Sequence, residues 1–184
     1  MKIFIIHGSY GNPEENWFPW LKKELEKLNY KVIIPKFPTP ENQSLKSWME
    51  VFDSYLKDLD KDTILIGHSL GPAFILNILE KINRPIKASF MVAGFVGKLD
   101  NRKFGKINST FTEKEFNWEK IKENCPVFYF YNSIDDPYVS FSKGEELSKR
   151  LGGKLIKFKN AGHFNENAGF KQFPQLLDDI KSII

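Results

Sequence analysis

Three residue types able to do nucleophilic chemistry recur in one order, each just after an apolar run. Ser69 lies in Gly67-His68-Ser69-Leu70-Gly71, behind Ile64-Leu65-Ile66. Asp135-Asp136 lies a few residues beyond Val127 to Tyr131, and His163 beyond Lys154 to Phe158. A serine hydroxyl is a weak nucleophile at neutral pH and needs a base. Imidazole suits that task, because its ordinary pKa is about 6.5. A carboxylate then fixes the imidazole tautomer and stabilises its cation. Serine, acid and histidine together can pass an acyl group first to serine and then to water.

The serine turn sets the first geometric demand. Gly-x-Ser-x-Gly between a strand and a helix lifts the serine onto a sharp turn. Such a turn crowds the residues two before and two after it, and Gly67 and Gly71 have no Cβ to clash. Ala73 to Leu79 reads as the buried face of the following helix. Pro72 falls in its first turn, where a missing N–H does little harm. The Leu70 N–H, at the positive end of that helix, is positioned to hold an oxyanion beside Ser69.

The chain has only three histidines. His68 belongs to the serine turn and His7 to the loop His7-Gly8-Ser9-Tyr10-Gly11-Asn12-Pro13. That leaves His163 as the base, with Asp135 or Asp136 as its carboxylate. The glycine loop lacks the Lys-Ser/Thr ending of a phosphate loop and the third glycine of a dinucleotide fingerprint. It reads instead as the second half of an oxyanion hole, with the Ser9 N–H as donor and His7 as a loop-fixing side chain. There is no His-Glu-x-x-His, and no cysteine–histidine cluster suits zinc. Asp135-Asp136 lacks the spaced oxygens of a calcium loop. No cofactor and no metal is expected, and the site is expected to take a small-molecule acyl substrate.

Strands alternate with helices from end to end. Strands are expected at Lys2 to Ile6, Lys31 to Ile34, Thr63 to Gly67, Ile86 to Ala93, Val127 to Tyr131 and Lys154 to Phe158. A helix from about Glu14 to Leu28 carries Trp17, Trp20, Leu21, Leu25 and Leu28 at helical spacing. Others follow from about Ser44, after the serine turn, from Ser140 to Leu151 with Gly152-Gly153 at its end, and from Phe170 to Ile183. This alternation argues for an α/β fold, a mostly parallel sheet wrapped on both faces by right-handed crossovers. Ligands of such sheets sit beyond the carboxyl ends of the strands. Ser69, Asp136 and His163 all follow strands and so fall at that one edge.

Phe95 to Cys125 carries no strand signal but is rich in Phe95, Phe104, Phe111, Phe116 and Trp118. It is expected to form a small cover at about 95–125 with a short helix near Trp118 to Lys122. Its aromatics, with those after the glycine loop, suggest an apolar acyl pocket.

A length of 184 residues fits one domain over 1–184, and 41% hydrophobic content supplies a core. The net charge of +4 is spread. Lys22-Lys23-Glu24-Leu25-Glu26-Lys27 mixes both signs, as a solvated helix face does, so no nucleic-acid partner is expected. The single cysteine, Cys125, reads as a small buried residue before a strand. One cysteine allows no internal disulfide, which fits a reducing, cytoplasmic setting. No apolar run is long enough to span a bilayer, and Ile3 to Ile6 is too short for a signal-peptide core, so no membrane partner is expected.

The chain resembles the small single-domain serine hydrolases of the retinoblastoma-binding and YdeN type. The resemblance runs over nearly its whole length. It rests on His7-Gly8, Trp17, Trp20-Leu21, Ile66-Gly67-His68-Ser69, Trp118-Glu119-Lys120-Ile121-Lys122, Cys125-Pro126, Asp135-Asp136-Pro137 and Gly162-His163-Phe164. It implies a reduced α/β-hydrolase fold, a six-stranded sheet in the order 2-1-3-4-5-6, and Ser69, Asp136 and His163 as nucleophile, acid and base. The chain order Ser, Asp, His is that of α/β-hydrolases. The resemblance places the acid directly before Pro137, and Pro137 favours an extended backbone at Asp136. Asp135 is then a turn residue bonding nearby backbone N–H groups. The retinoblastoma-type partner is not expected, because Cys125 stands two residues after Glu123 and no Leu-x-Cys-x-Glu occurs. The resulting expectation is a carboxylesterase-like serine hydrolase of small esters, thioesters or amides. The alternative is a catalytically silent binding protein on the same fold.

Overall fold

The computed structural model describes residues 1–184, apart from the side chain of Arg102. In chain order it runs β1 (Lys2–Ile6), α1 (Phe18–Glu26), β2 (Lys31–Ile33), α2 (Leu45–Leu56), β3 (Ile64–His68), α3 (Gly71–Lys81) and β4 (Ala88–Val92). It continues through α4 (Arg102–Thr112), α5 (Trp118–Asn124), β5 (Phe128–Ser133), α6 (Phe141–Leu151), β6 (Lys154–Phe158) and α7 (Pro174–Lys181). The strands form one six-stranded sheet in the order β2-β1-β3-β4-β5-β6, and every neighbouring pair is parallel. This is the expected α/β-hydrolase order.

Strand periodicity divides the core into two apolar layers. Ile3 and Ile5 of β1 face one layer, and Phe4 and Ile6 face the other. Trp17, Phe18, Leu21 and Leu25 around α1 fill the first layer with Leu176 and Ile180 of α7. Trp48 and Phe52 of α2 and Phe74 of α3 fill the second. Buried on both faces, β3 and β4 are sealed from end to end, as parallel central strands must be. The edge strand β6 instead turns Lys154 and Lys157 outward, which blunts pairing with another chain.

The structure shortens two expected helices. The first begins at Phe18 rather than Glu14 and ends at Glu26, which leaves Leu28 exposed. The last begins at Pro174 rather than Phe170.

The larger difference lies in the expected cover, where α4 occupies residues read as loop. Gly105 and the run Asn108-Ser109-Thr110 have poor helix propensity, and tertiary packing overrides it. Asn101 caps the helix by accepting from the Lys103 and Phe104 N–H groups. At its far end Phe111 is fully buried, 5.0 Å from the Trp48 ring. Phe95 and Phe116 are likewise buried in the core rather than over the site.

Candidate active site

The serine turn stores backbone strain. Ser69 has φ of 59°, a left-handed conformation that costs a non-glycine residue about 1–3 kcal/mol. Its N–H donates to Val92 O at 2.9 Å, which ties the turn to β4. The two flanking glycines are required sterically. A Cβ on Gly67 would come within 2.6 Å of Pro72 N, and one on Gly71 would strike Ile6 O. Directly after the serine, the fully buried Leu70 leads into α3. Among the described residues its N–H has no acceptor.

His163 and Asp136 meet across the next strand ends. The His163 Nδ1–H donates to Asp136 Oδ2 at 2.8 Å, and the Asp136 side chain is 1% exposed. Asp136 Oδ1 accepts from the N–H groups of Tyr138 at 2.9 Å and Val139 at 3.0 Å. The carboxylate is thereby clamped on both oxygens, with one reserved for the imidazole.

Asp135 reaches further along the chain than a turn residue bonding its neighbours does. Its Oδ1 accepts from Ala161 N–H at 3.1 Å and Gly162 N–H at 2.9 Å, on the loop that carries His163. It also accepts from the Ser133 hydroxyl, which holds its carboxyl below the usual range. Pairing across 26 residues depends on how β5 and β6 lie together, and local sequence carries no sign of it.

Two further side chains pin the histidine loop from beneath. His68 Nε2–H donates to His163 O at 2.7 Å, and Trp17 Nε1–H donates to Phe164 O at 3.1 Å. Burial pushes His68 down to about 3, with the neighbouring His163 adding to the effect. It stays neutral and acts as a fixed donor. His68 is therefore a structural part of the turn, as its position implied.

The glycine loop closes over the serine. A Cβ on Gly8 would lie 3.2 Å from Ser69 Oγ, so the Gly8–Ser9 backbone passes directly beside the hydroxyl. Among the described residues the Ser9 N–H has no acceptor. His7 is fully buried and fixes the loop as expected. Its Nδ1–H donates to Gly8 O at 2.8 Å, and its Nε2 accepts from Phe37 N–H at 3.1 Å. Burial pushes its pKa down and keeps it neutral. Gln43 and Asn108, which sequence reasoning missed, bond the Ser9 side chain from outside the loop. Both are lone polar residues in segments without a motif, so no local signal marks them.

These parts border one cavity of about 450 Å³. Gly8, Ser9, Ser69 and His163 line its reactive side. Tyr10, Leu99, Phe104 and Tyr138 form an apolar wall. Glu15, Asn16 and Asn165 to Asn167 also line it, so the pocket is half polar rather than wholly apolar. Partial burial pushes the Glu15 carboxyl up, and the nearby Glu166 charge adds to it. The remaining nucleophile by residue type, Cys125, is buried, and its thiol is pushed up to about 12. It takes no part in the cavity.

Known proteins resemble this chain over nearly its whole length. YdeN of Bacillus subtilis is 31% identical over 183 residues, spanning 98% of this chain and 95% of its own. The rat serine hydrolase RBBP9 is 28% identical over 186 residues, spanning 100% of this chain and 95% of its own. The crystal structure of the B. subtilis ydeN gene product superposes with a TM-score of 0.93 at 30% identity, covering 99% of this chain and 97% of that one. The serine hydrolase family model matches residues 3–182, and the chain belongs to that family of hydrolases.

Proposed function

We propose that the protein hydrolyses small esters, thioesters or amides through an acyl-enzyme on Ser69, in the manner of a carboxylesterase. The Ser69 hydroxyl attacks the substrate carbonyl while His163 Nε2 takes its proton. The Ser9 and Leu70 N–H groups hold the oxyanion of the tetrahedral intermediate. Its collapse breaks the bond to the leaving group, which departs with the proton from His163. Water then attacks the acyl-serine with His163 again as base, releasing the acid and restoring Ser69. Asp136 holds the imidazole in the tautomer with its proton on Nδ1, so that Nε2 is free to accept.

The observation that carries this reading is the 2.8 Å hydrogen bond from His163 to Asp136 at the wall of a cavity that Ser69 also lines. The unpartnered N–H groups of Ser9 and Leu70 support the oxyanion assignment, since donors kept free of the fold are available to substrate. A fluorophosphonate probe should label the protein, and Ser69→Ala should abolish labelling while leaving the fold intact. Hydrolysis of a panel of p-nitrophenyl esters and aminoacyl amides should fall with it by several orders of magnitude. Turnover by pure Ser69→Ala protein at the wild-type rate would overturn the mechanism. Absence of both labelling and turnover in the wild-type protein would favour a silent binding protein on this fold.

A further inference from the structure

We propose that Asn108 is a specificity-determining residue, its side-chain NH2 donating a hydrogen bond to an oxygen on the acyl part of the substrate. The proposal rests on the acyl-enzyme reading above and names the kind of acyl group the cavity prefers.

The direction of the Asn108 amide follows from a chain of hydrogen bonds anchored at both ends on backbone. The Tyr10 N–H can only donate, and it donates to Thr39 Oγ1 at 2.6 Å. The Thr39 hydroxyl therefore gives its own proton onward, to Gln43 Oε1 at 2.6 Å. That puts the Gln43 nitrogen on the opposite side, where it donates to the Ile107 carbonyl at 3.2 Å. A carbonyl can only accept, so the glutamine has one orientation. The same nitrogen lies 2.8 Å from Ser9 Oγ and 2.8 Å from Asn108 Oδ1. Ser9 Oγ accepts from Gln43 and donates its proton to Asn108 Oδ1 at 2.5 Å. Turning the Asn108 amide over would set its NH2 against the Gln43 NH2. The oxygen of Asn108 is thus committed to the oxyanion loop.

Its nitrogen is left over. Asn108 is 3% exposed, and it lines the same cavity as Gly8, Ser9 and Ser69. Among the described hydrogen bonds its Nδ2 makes none. An amide donor held rigid, unpaired within the fold and open to a reactive cavity is placed to meet a ligand oxygen. The oxyanion itself already has two free backbone donors, at Ser9 and Leu70. The Asn108 NH2 is therefore left for a second oxygen, such as an ether, hydroxyl or carbonyl carried on the acyl chain.

Asn108→Asp tests this with little change of shape. It keeps an oxygen toward Ser9 and Gln43 and replaces the donating NH2 by an accepting oxygen. Two esters are compared, p-nitrophenyl butyrate and p-nitrophenyl methoxyacetate. The variant should lose about tenfold or more in kcat/KM for methoxyacetate relative to butyrate, the scale of one hydrogen bond, and mainly through KM. An equal loss for both esters, or no loss for either, would overturn the proposal, since a purely structural role of Asn108 moves both alike. Binding is read separately in Ser69→Ala protein, whose turnover is too slow to deplete the ligand during a titration. The Asn108 side-chain NH2 resonances should shift on titration with methoxyacetate and much less with butyrate. Resonances that stay unmoved would refute the contact even if ester hydrolysis proved too slow to follow. Fluorophosphonate labelling of Asn108→Asp should persist. Its loss in the wild type as well would refute the acyl-enzyme reading and not the Asn108 contact.

Discussion

Replacing Asp136 by asparagine tests the acid most sharply, because the structure blocks the obvious escape. In the native site Oδ2 accepts the His163 Nδ1 proton and Oδ1 accepts two backbone N–H groups, from Tyr138 and Val139. Asparagine has one oxygen and one NH2 to place in these two positions. With its oxygen toward Tyr138 and Val139, its NH2 faces His163 Nδ1. The imidazole must then carry its proton on Nε2, where it cannot accept from Ser69. With the amide turned over, its NH2 would face two N–H donors, and a buried donor pair left unsatisfied costs about 1–3 kcal/mol. The wrong tautomer is therefore the stable one. A serine, histidine and aspartate triad loses about 10,000-fold in kcat when its acid becomes an amide, roughly 5 kcal/mol in the barrier. We expect kcat for p-nitrophenyl butyrate to fall about 1,000- to 10,000-fold, with KM nearly unchanged and fluorophosphonate labelling slowed in step. Asp136→Asn protein within about tenfold of wild type, about two orders of magnitude or more short of the tautomer effect, would refute the reasoning.

Asp135→Ala should act differently, by loosening the histidine loop. It removes the acceptor for Ser133, Ala161 and Gly162, and kcat should fall about 10- to 100-fold, the cost of a small misplacement. Asp135→Asn, which keeps an acceptor, should recover most of that loss, and wild-type kcat in the alanine variant would remove Asp135 from the positioning role. Its carboxyl is held below the usual range in the fold, so this clamp is complete above about pH 4 and is lost as pH falls through the folded value. His68 gives a second pH signature. Unfolded, it protonates near pH 6.5, whereas folded it stays neutral down to about 3. The unfolded state thus binds the extra proton between those values, and stability falls on acidification by up to about 1.4 kcal/mol per pH unit. His68→Gln keeps a donor for the His163 carbonyl and removes this titration. Denaturant melts at pH 7, 5.5 and 4.5 should show a shallower pH slope for the variant, and equal slopes would contradict the assignment.

The division between what local sequence carries and what packing decides is visible residue by residue. The alternation of apolar runs with helical faces specified a parallel sheet, and strand-end positions sent Ser69, Asp136 and His163 to one edge. Gly67 and Gly71 marked a turn that only a residue without Cβ can flank. All of these are local: each depends on a few neighbours in the chain and on backbone sterics. The helix α4 was hidden because its own residues disfavour it, and it forms through the burial of Phe111 against Trp48. The reach of Asp135 to the Ala161 and Gly162 N–H groups, and of His68 to the His163 carbonyl, joins residues 26 to 95 positions apart. The Tyr10–Thr39–Gln43–Asn108 chain spans three separate segments and has no spacing that a sequence pattern could display. Sequence alone determined the chemistry available and the sheet edge that presents it. Tertiary structure alone decided which polar groups are paired by the fold and which are left free, because satisfaction of a buried donor depends on the acceptor that packing brings beside it.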